Sequence, residues 1–201
     1  MLQKTIDYYL APQSPWTYFG HARLVAMAKK YNATIQIKPM DLGKIFPISG
    51  GLPLPKRAPQ RQAYRMAELA RFRDHLQVPL HVQPAFFPVA GDPAARVIIA
   101  VRESDGQAAA VNFAGKVLAG VWAQERNIAD VDTLKLMLTE CGLLASHYEA
   151  SLAESVQALY EADTQTAIDV QAFGSPTYVI DGELFWGQDR LDFVERILKN
   201  A

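Results

Sequence analysis

The sequence is poor in the residues that form disulfides and bind metals. Cys141 is the single cysteine among 201 residues, so an internal disulfide and a cysteine metal cluster are both excluded. The four histidines show no H-x-x-x-H spacing, and we therefore predict no metal site. Because Cys141 precedes Gly142 at the predicted end of a helix, we interpret it as a structural thiol rather than a nucleophile.

The sequence also lacks an excess of either charge and any long apolar run. Its 20 Lys and Arg residues oppose 21 Asp and Glu residues, a formal net charge of −1, and no basic cluster is present. We therefore expect neither nucleic acid nor a membrane as a partner. No uncharged apolar stretch is long enough for a bilayer, and the segment MLQKTIDYYL lacks a small-residue cleavage site. These absences predict a cytoplasmic protein.

The N-terminal segment has the pattern of a strand, a helix and a second strand. Residues 4–10 and 33–39 are β-branched, aromatic or alternating, and residues 15–31 have the pattern of a helix. So short a unit predicts a right-handed crossover between parallel strands.

The C-terminal segment mirrors this unit. PTYVID and ELFWG are predicted strands, and Asp181–Gly182 between them is a strong hairpin signal. A closing helix is predicted over residues 189–200, with Asp189 as its N-cap.

The segment between these ends is predicted to be mostly helical. Residues 43–59 are rich in Gly and Pro and are predicted to form a long surface excursion. Predicted helices cover residues 60–77, 93–104, 107–125, 130–140 and 146–171. The helix over 107–125 is nearly apolar all round, so we expect it to be buried on most sides.

The whole pattern predicts an α/β fold with a large all-helical insertion. A βαβ–ββα sheet domain takes residues 1–42 and 172–201, and the helical domain takes residues 43–171. The cleft between the two parts is the expected ligand site.

Ser14 and Pro15 stand where the first helix is predicted to begin. Ser before Pro is common at a helix start, so Ser14 is predicted to be the N-cap. A helix N-terminus also stabilises an anion and lowers the pKa of a thiol held there. The chain has no thiol at this position, so a small molecule would have to supply one. Ser14 is therefore either a plain cap or the reactive centre.

The segment FGSPTYV precedes the predicted third strand. Pro176 cannot donate to a sheet, so it is predicted to start the strand, and a cis Ser175–Pro176 bond fits this position. The N–H and C=O of Ser175 would then be free to pair with an extended ligand backbone. The alternative is an ordinary proline at the start of a strand.

These two motifs together resemble the thioredoxin superfamily, in which C-P-x-C opens the first helix and a cis-proline faces it. Ser14 and Thr17 replace the two cysteines, so disulfide exchange by the protein alone is excluded. The helical insertion resembles the DsbA plan. The segments SPWTYFGHARL, PMDLGKIF, YRMAELARFRDHLQVPL and FGSPTYVIDGELFWGQDRLDFVE are similar to those of 2-hydroxychromene-2-carboxylate isomerases and kappa-class glutathione transferases.

This resemblance implies glutathione as the cofactor, with Ser14 beside its sulfur and the backbone of Ser175, before the cis-proline Pro176, beside its cysteinyl part. The family's W-G-[NQ]-D segment, which contacts the γ-glutamyl end, is matched here by Trp186, Gly187, Gln188 and Asp189. Without the family, Trp186 has the alternative of a core aromatic and Asp189 that of a helix cap.

The substrate side departs from the family pattern. The family's loop Lys falls near Phe46, and its Asn-Arg pair is absent, although Lys56 and Arg57 lie in that loop and Lys44 lies earlier. Phe87 replaces a family Tyr and loses its hydroxyl. We predict Phe46, Lys56, Arg57 and Phe87 as substrate-binding residues, with a solvated surface pair as the alternative for Lys56 and Arg57. The arginines at 61, 65, 71 and 73 are expected to point outward or toward a cleft.

The resemblance implies a glutathione-dependent isomerase for an aromatic conjugated 2-oxo acid such as 2-hydroxychromene-2-carboxylate. The expected partners are glutathione and this small-molecule substrate, and relatives are often dimers, so a homodimer is expected by analogy. One alternative is a kappa-class-like transferase or peroxidase. Another is a non-catalytic thioredoxin-like binding domain, although such a scaffold would have no use for FWGQDRL.

Overall fold

A computed structural model describes residues 3–200 and places a four-stranded sheet at the centre of the fold. Strand β1 (Thr5–Leu10), helix α1 (Pro15–Lys30) and strand β2 (Thr34–Pro39) form the first unit. The two strands pair in parallel over their whole lengths, from Thr5 opposite Thr34 to Leu10 opposite Pro39. The predicted parallel pair is confirmed.

The C-terminal segment adds the other two strands. Strands β3 (Thr177–Ile180) and β4 (Glu183–Trp186) form the predicted hairpin, and the sheet order is β2-β1-β3-β4. Because β3 is antiparallel to β1, it brings the segment around Ser175 beside the end of β1. The sheet therefore joins the two ends of the chain and confirms the βαβ–ββα arrangement.

The helices between these strands match most predicted segments but differ in continuity. They are α2 (Leu42–Ser49), α3 (Pro59–Leu76), α4 (Asp92–Ala123), α5 (Val131–Glu140), α6 (His147–Ala150) and α7 (Glu154–Asp169), and α8 (Leu191–Lys199) closes the chain. Gly106, whose φ of 87° and ψ of 176° are not helical, interrupts α4, so its two halves correspond to the two helices predicted over 93–104 and 107–125. The helix predicted over 146–171 is divided between α6 and α7. The division into domains 1–42 with 172–201 and 43–171 stays a prediction.

Two local predictions are wrong. Residues 43–59 are not a continuous excursion, since Asp41 accepts the N–H of Gly43 at 2.7 Å and starts α2, and Gly50 ends it in the left-handed conformation at φ 76°. Asp189 does not cap the last helix, because it lies inside a short 3₁₀ turn, Gln188–Arg190, that precedes α8.

The core lies between the sheet and α4, which packs against β2 and α1. The second half of α4 is buried along most of its length, including Phe113, Val117, Val121 and Trp122. The predicted burial of this helix is confirmed. Within residues 3–200, no helix combines the length and the apolar character that a membrane span requires.

Two buried tyrosines of the core differ in their hydrogen bonding. Tyr8 and Tyr178 face each other across β1 and β3, with ring centroids 5.6 Å apart. The Tyr8 hydroxyl lies 3.2 Å from Nδ1 of His21, whereas the Tyr178 hydroxyl is buried without a partner among the described residues. Burial raises the pKa of Tyr178, so its hydroxyl is neutral.

These tyrosines should respond with opposite signs to removal of the hydroxyl. We expect Tyr178→Phe to raise the free energy of unfolding by about 1 kcal/mol, because it deletes an unsatisfied buried group. Tyr8→Phe should lower it by about 1 kcal/mol, because Nδ1 of His21 loses its partner. Urea unfolding of both variants checks this, and a destabilised Tyr178→Phe chain would contradict it.

Candidate active site at the start of the first helix

Ser14 is the N-cap of α1, as predicted. Its backbone is extended at φ −78° and ψ 125°, and its Oγ accepts the N–H of Thr17 at 3.2 Å. The same Oγ donates its proton to the carbonyl of Ser175, also at 3.2 Å. Ser14 is 8% exposed, so its hydroxyl lies at the surface of a largely closed corner. Because the donated bond is long for a hydroxyl, this proton can turn to a stronger acceptor.

Ser175 connects the start of β3 to both neighbouring elements. The Ser175–Pro176 bond is cis, as predicted. The Ser175 hydroxyl accepts the N–H of Ala11 at 2.8 Å and lies 2.7 Å from Oγ1 of Thr17. The prediction that both backbone groups of Ser175 are free is wrong for the C=O, which Ser14 contacts. The N–H meets no acceptor among residues 3–200.

The electrostatics of this corner favour an anion. The first turn of α1 contains no acidic residue, and Pro15 has no N–H to offer. The N–H of Trp16 meets no hydrogen-bond acceptor within the described part of the chain. The positive end of the helix dipole is therefore not neutralised. A hydroxyl donor, a free amide and the absence of a nearby carboxylate in the first turn fit a thiolate brought by a ligand.

Trp186 ends β4 beside this corner and is not a core aromatic. It is 48% exposed and contacts the ring of Phe173, with centroids 4.7 Å apart. Its indole lies directly over Gly174, where a Cβ would come within 2.3 Å of Nε1. Gly174 therefore allows an exposed aromatic surface to lie next to Ser175.

The three residues after Trp186 differ in their contacts and in their exposure to solvent. The N–H of Gly187, at φ 101°, donates to the carbonyl of Pro176 at 2.9 Å. Gln188 is 2% exposed, and its Oε1 accepts from Nη1 of Arg23 at 2.8 Å. Asp189 is exposed and pairs with Arg190 at 2.7 Å. Gln188 thus anchors the turn to α1 through its side chain, while Trp186 and Asp189 stay accessible.

The predicted substrate residues form two groups. The guanidinium of Arg57 lies 6.0 Å from the ring centroid of Phe46, and its Nε donates to the carbonyl of Leu52 at 2.7 Å. Arg57 is half-buried and so is not a fully solvated surface residue, and burial and the neighbouring Arg61 lower its pKa. Lys56 is exposed, in the 3₁₀ turn Leu54–Lys56. Lys44 lies 3.6 Å from Glu161.

Phe87 belongs to the second group, together with Arg65. Its ring centroid lies 4.8 Å from that of Trp122 and 5.0 Å from the guanidinium carbon of Arg65. Arg65 was expected to point either outward or toward a cleft. It is only 8% exposed, so the outward orientation is wrong. Its position one turn before the buried Leu69 could have indicated this. No pattern in the sequence indicated that Arg23 contacts Gln188.

Within residues 3–200, no group of three or more His, Cys, Asp or Glu side chains is placed to hold a metal ion. Burial raises the pKa of the Cys141 thiol, so little of it is thiolate at neutral pH.

Comparisons with known proteins show what the chain is similar to. The chain is 28% identical over 193 residues to the 2-hydroxychromene-2-carboxylate isomerase of Pseudomonas putida, covering 94% of this chain and 92% of that protein. It is 23% identical over 208 residues to human glutathione S-transferase kappa 1, covering 98% and 92%. A solved structure of a 2-hydroxychromene-2-carboxylate isomerase superposes with a TM-score of 0.83 at 25% identity, covering 98% and 95%. Since the model of the DSBA-like thioredoxin domain matches residues 5–199, the chain belongs to that family.

Proposed function

We propose that this protein is a glutathione-dependent isomerase that acts on an aromatic conjugated 2-oxo acid. The observation that carries the proposal is the placement of the Ser14 hydroxyl and the free N–H of Trp16 at a helix start with no cysteine in the first turn. The similarity to proteins named 2-hydroxychromene-2-carboxylate isomerase supports the reaction class. The similarity to a glutathione transferase supports the cofactor.

Glutathione, when bound, would supply a thiolate whose addition to an electron-poor carbon turns a double bond of the substrate into a single bond that can rotate, and whose elimination restores the double bond. The residues that would hold it surround the corner. The N–H of Ser175 would pair with the cysteinyl backbone, and the exposed face of Trp186 would cover the peptide. Asp189 has an exposed carboxylate that suits the amino group of the γ-glutamyl end.

Ser14 would keep the sulfur ionised. A hydrogen bond to a charged group contributes about 1.5–3 kcal/mol, equivalent to about one to two pKa units. The helix terminus adds about 0.3–1 kcal/mol. Together these contributions bring a thiol with an ordinary pKa of about 8.5 close to neutrality. The buried position of Ser14 keeps competing water away from its proton.

The substrate would lie between Phe46 and Arg57 on one side and Phe87 on the other. These residues, with Lys56, provide aromatic surface and positive charge, which suit a planar acid. A homodimer and a cytoplasmic location are proposed only on the sequence resemblance and composition.

Kappa-class-like conjugation or peroxide reduction is the second candidate, and the similarity to human glutathione S-transferase kappa 1 favours it. Both candidates require the same thiolate at Ser14. They differ in the fate of glutathione, which isomerisation regenerates and the other two reactions consume.

Titration calorimetry with glutathione, followed by product analysis, tests the proposal. We expect saturable heat with reduced glutathione and weaker binding of S-methylglutathione, which cannot form a thiolate. Incubation with 2-hydroxychromene-2-carboxylate should change the isomer ratio while the glutathione concentration stays constant. Consumption of glutathione would favour the transferase, and no heat at millimolar ligand would favour the binding domain.

A further inference from the structure

Arg65 is a buried cation without a counter-ion. Its side chain lies on the inner face of α3, and its Nη2 is buried with no hydrogen-bond partner among the described residues. Nη1 has only a weak contact, 3.8 Å from the sulfur of Met66. Burial, and the nearby charge of Arg57, lower the pKa of Arg65 to about 10, so it remains charged at neutral pH. A buried charge without a partner is costly, which points to a missing anion.

Aromatic rings hold the guanidinium in place. Its carbon lies 5.0 Å from the centroid of Phe87 and 5.7 Å from that of Trp122. Such contacts offset part of the cost of burying a cation, but they satisfy none of its N–H donors. The indole Nε1 of Trp122 is also buried without a partner in the described part of the chain. The cluster of Arg65, Phe87 and Trp122 therefore contains two unpaired N–H donors, which an anionic acceptor could satisfy.

The charges around the cluster have the same sign. Arg57, Arg61 and Arg65 follow one another at intervals of four residues, and none of them forms an ion pair with a residue between 3 and 200. Glu68, the carboxylate nearest to them along α3, is already paired with Arg71 at 2.6 Å. The electrostatic potential around these arginines is thus positive and would attract an acid.

Two contacts connect this cluster to the corner at Ser14. Helix α3 packs on the start of α1 through Phe72, whose ring meets that of Trp16 edge-on at 5.9 Å. The segment that carries Phe87 reaches Gly91, which lies against the side chain of Gln13. Arg65 and Phe72 are seven residues apart, about 10 Å along the helix. This distance is close to the length of a planar two-ring acid.

We propose that Arg65, assisted by the indole N–H of Trp122, binds the carboxylate of the substrate and determines specificity for planar aromatic acids. The inference rests on the proposed function and extends it, because it adds an anchor on α3 to the residues of the loop after β2. The unpaired Nη2 of Arg65 donates to one carboxylate oxygen, and the ring of Phe87 faces the aromatic part. Arg65 binds the substrate and does not contact the reacting carbon.

The test compares 2-naphthoate with its neutral analogue 2-naphthamide, in the presence of glutathione. We expect the wild-type chain to bind the acid at least tenfold more tightly than the amide, measured by calorimetry and by quenching of tryptophan fluorescence. Arg65→Met, which replaces the cation with an apolar chain of similar length, should abolish this preference and raise KM for the oxo acid at least tenfold, with a smaller change in kcat. Arg65→Lys should recover part of the preference.

Controls separate the inference from the function on which it rests. Arg71→Met removes an exposed arginine of the same helix and should leave acid binding unchanged. Glutathione should bind Arg65→Met and wild-type protein equally, and chemical unfolding should find Arg65→Met no less stable. If the wild-type chain prefers the acid but does not bind glutathione, the inference stands and the proposed function fails. If Arg65→Met keeps the acid preference or the KM of the wild type, the inference is overturned.

Discussion

Replacing Ser14 with alanine should lower the rate of glutathione-dependent isomerisation at neutral pH by about 5- to 50-fold. The lost hydrogen bond to the sulfur is worth about 1.5–3 kcal/mol, which corresponds to a rise of about one to two units in the thiol pKa. Because the pKa in the wild-type complex is close to neutral, the thiolate fraction at pH 7 falls by about 5- to 50-fold. Absorbance of the thiolate in the ultraviolet, followed against pH in the complex, should show the shift directly.

The same substitution also removes a helix cap, so its effect on stability needs a matched control. Loss of the bond to the Thr17 N–H should cost about 1 kcal/mol of unfolding free energy. Asp130 caps α5 in the same way, accepting the N–H of Thr133 at 2.9 Å. Asp130→Ala should therefore lose similar stability but keep its isomerase activity. An equal loss of activity in both variants, or an unchanged thiol pKa in Ser14→Ala, would remove Ser14 from the chemistry.

Acidification should destabilise the protein through His21. This residue is buried against Tyr8 and α4, and its Nε2 lies 3.0 Å from the carbonyl of Val111. The neutral ring satisfies both contacts, with Nε2 donating to Val111 and Nδ1 accepting from Tyr8. Burial lowers the pKa of His21 to about 4, against the opposing effect of the Val111 bond.

The sign follows from the two states of the chain. The unfolded chain binds a proton at His21 below its ordinary pKa of about 6.5, whereas the folded chain resists protonation until about pH 4. This contribution to stability is fully present above pH 6.5 and is lost as the pH falls toward 4, a total of about 3 kcal/mol.

Urea unfolding of wild-type, His21→Gln and His81→Gln chains between pH 7 and pH 4.5 measures the contribution of His21 to the pH dependence of stability. His21→Gln should have a shallower loss of stability than the wild type over this window. His81 is exposed, so His81→Gln should follow the wild type. Parallel curves for all three chains would show that His21 does not resist protonation in the folded protein.

Sequence patterns predicted the elements whose signals are local. The Ser-Pro pair at 14–15 specifies a helix start through its own backbone chemistry, and Asp181–Gly182 specifies a hairpin, so both were predictable without knowledge of their neighbours. The burial of the second half of α4 followed from its composition alone. The start of α2 is not predicted, although Asp41 is a good cap, because the Gly and Pro content of residues 43–59 indicates an irregular segment.

Side-chain positions that depend on tertiary contacts were less accessible. Arg65 has the residue type of a solvated surface; its spacing from Leu69 hints at burial, but the packing against Phe87 and Trp122 is a tertiary contact that the sequence does not show. Arg23 bonds Gln188 across 165 positions of the sequence, a distance that no local pattern spans. Asp189 was assigned as a cap from spacing, but the short turn at Gln188–Arg190 shifts the helix start by two residues.

The hydroxyl-for-thiol exchange at Ser14 and Thr17 has a consequence for cells under oxidative stress. Peroxide and disulfides convert resident sulfur atoms into sulfenic acids or mixed disulfides, but an alcohol oxygen undergoes no such cycle. Ser14 and Thr17 therefore do not become covalently modified when the surroundings become oxidising. On the proposed function, oxidants would affect the reaction only through the supply of reduced glutathione, which recovers when the pool is replenished.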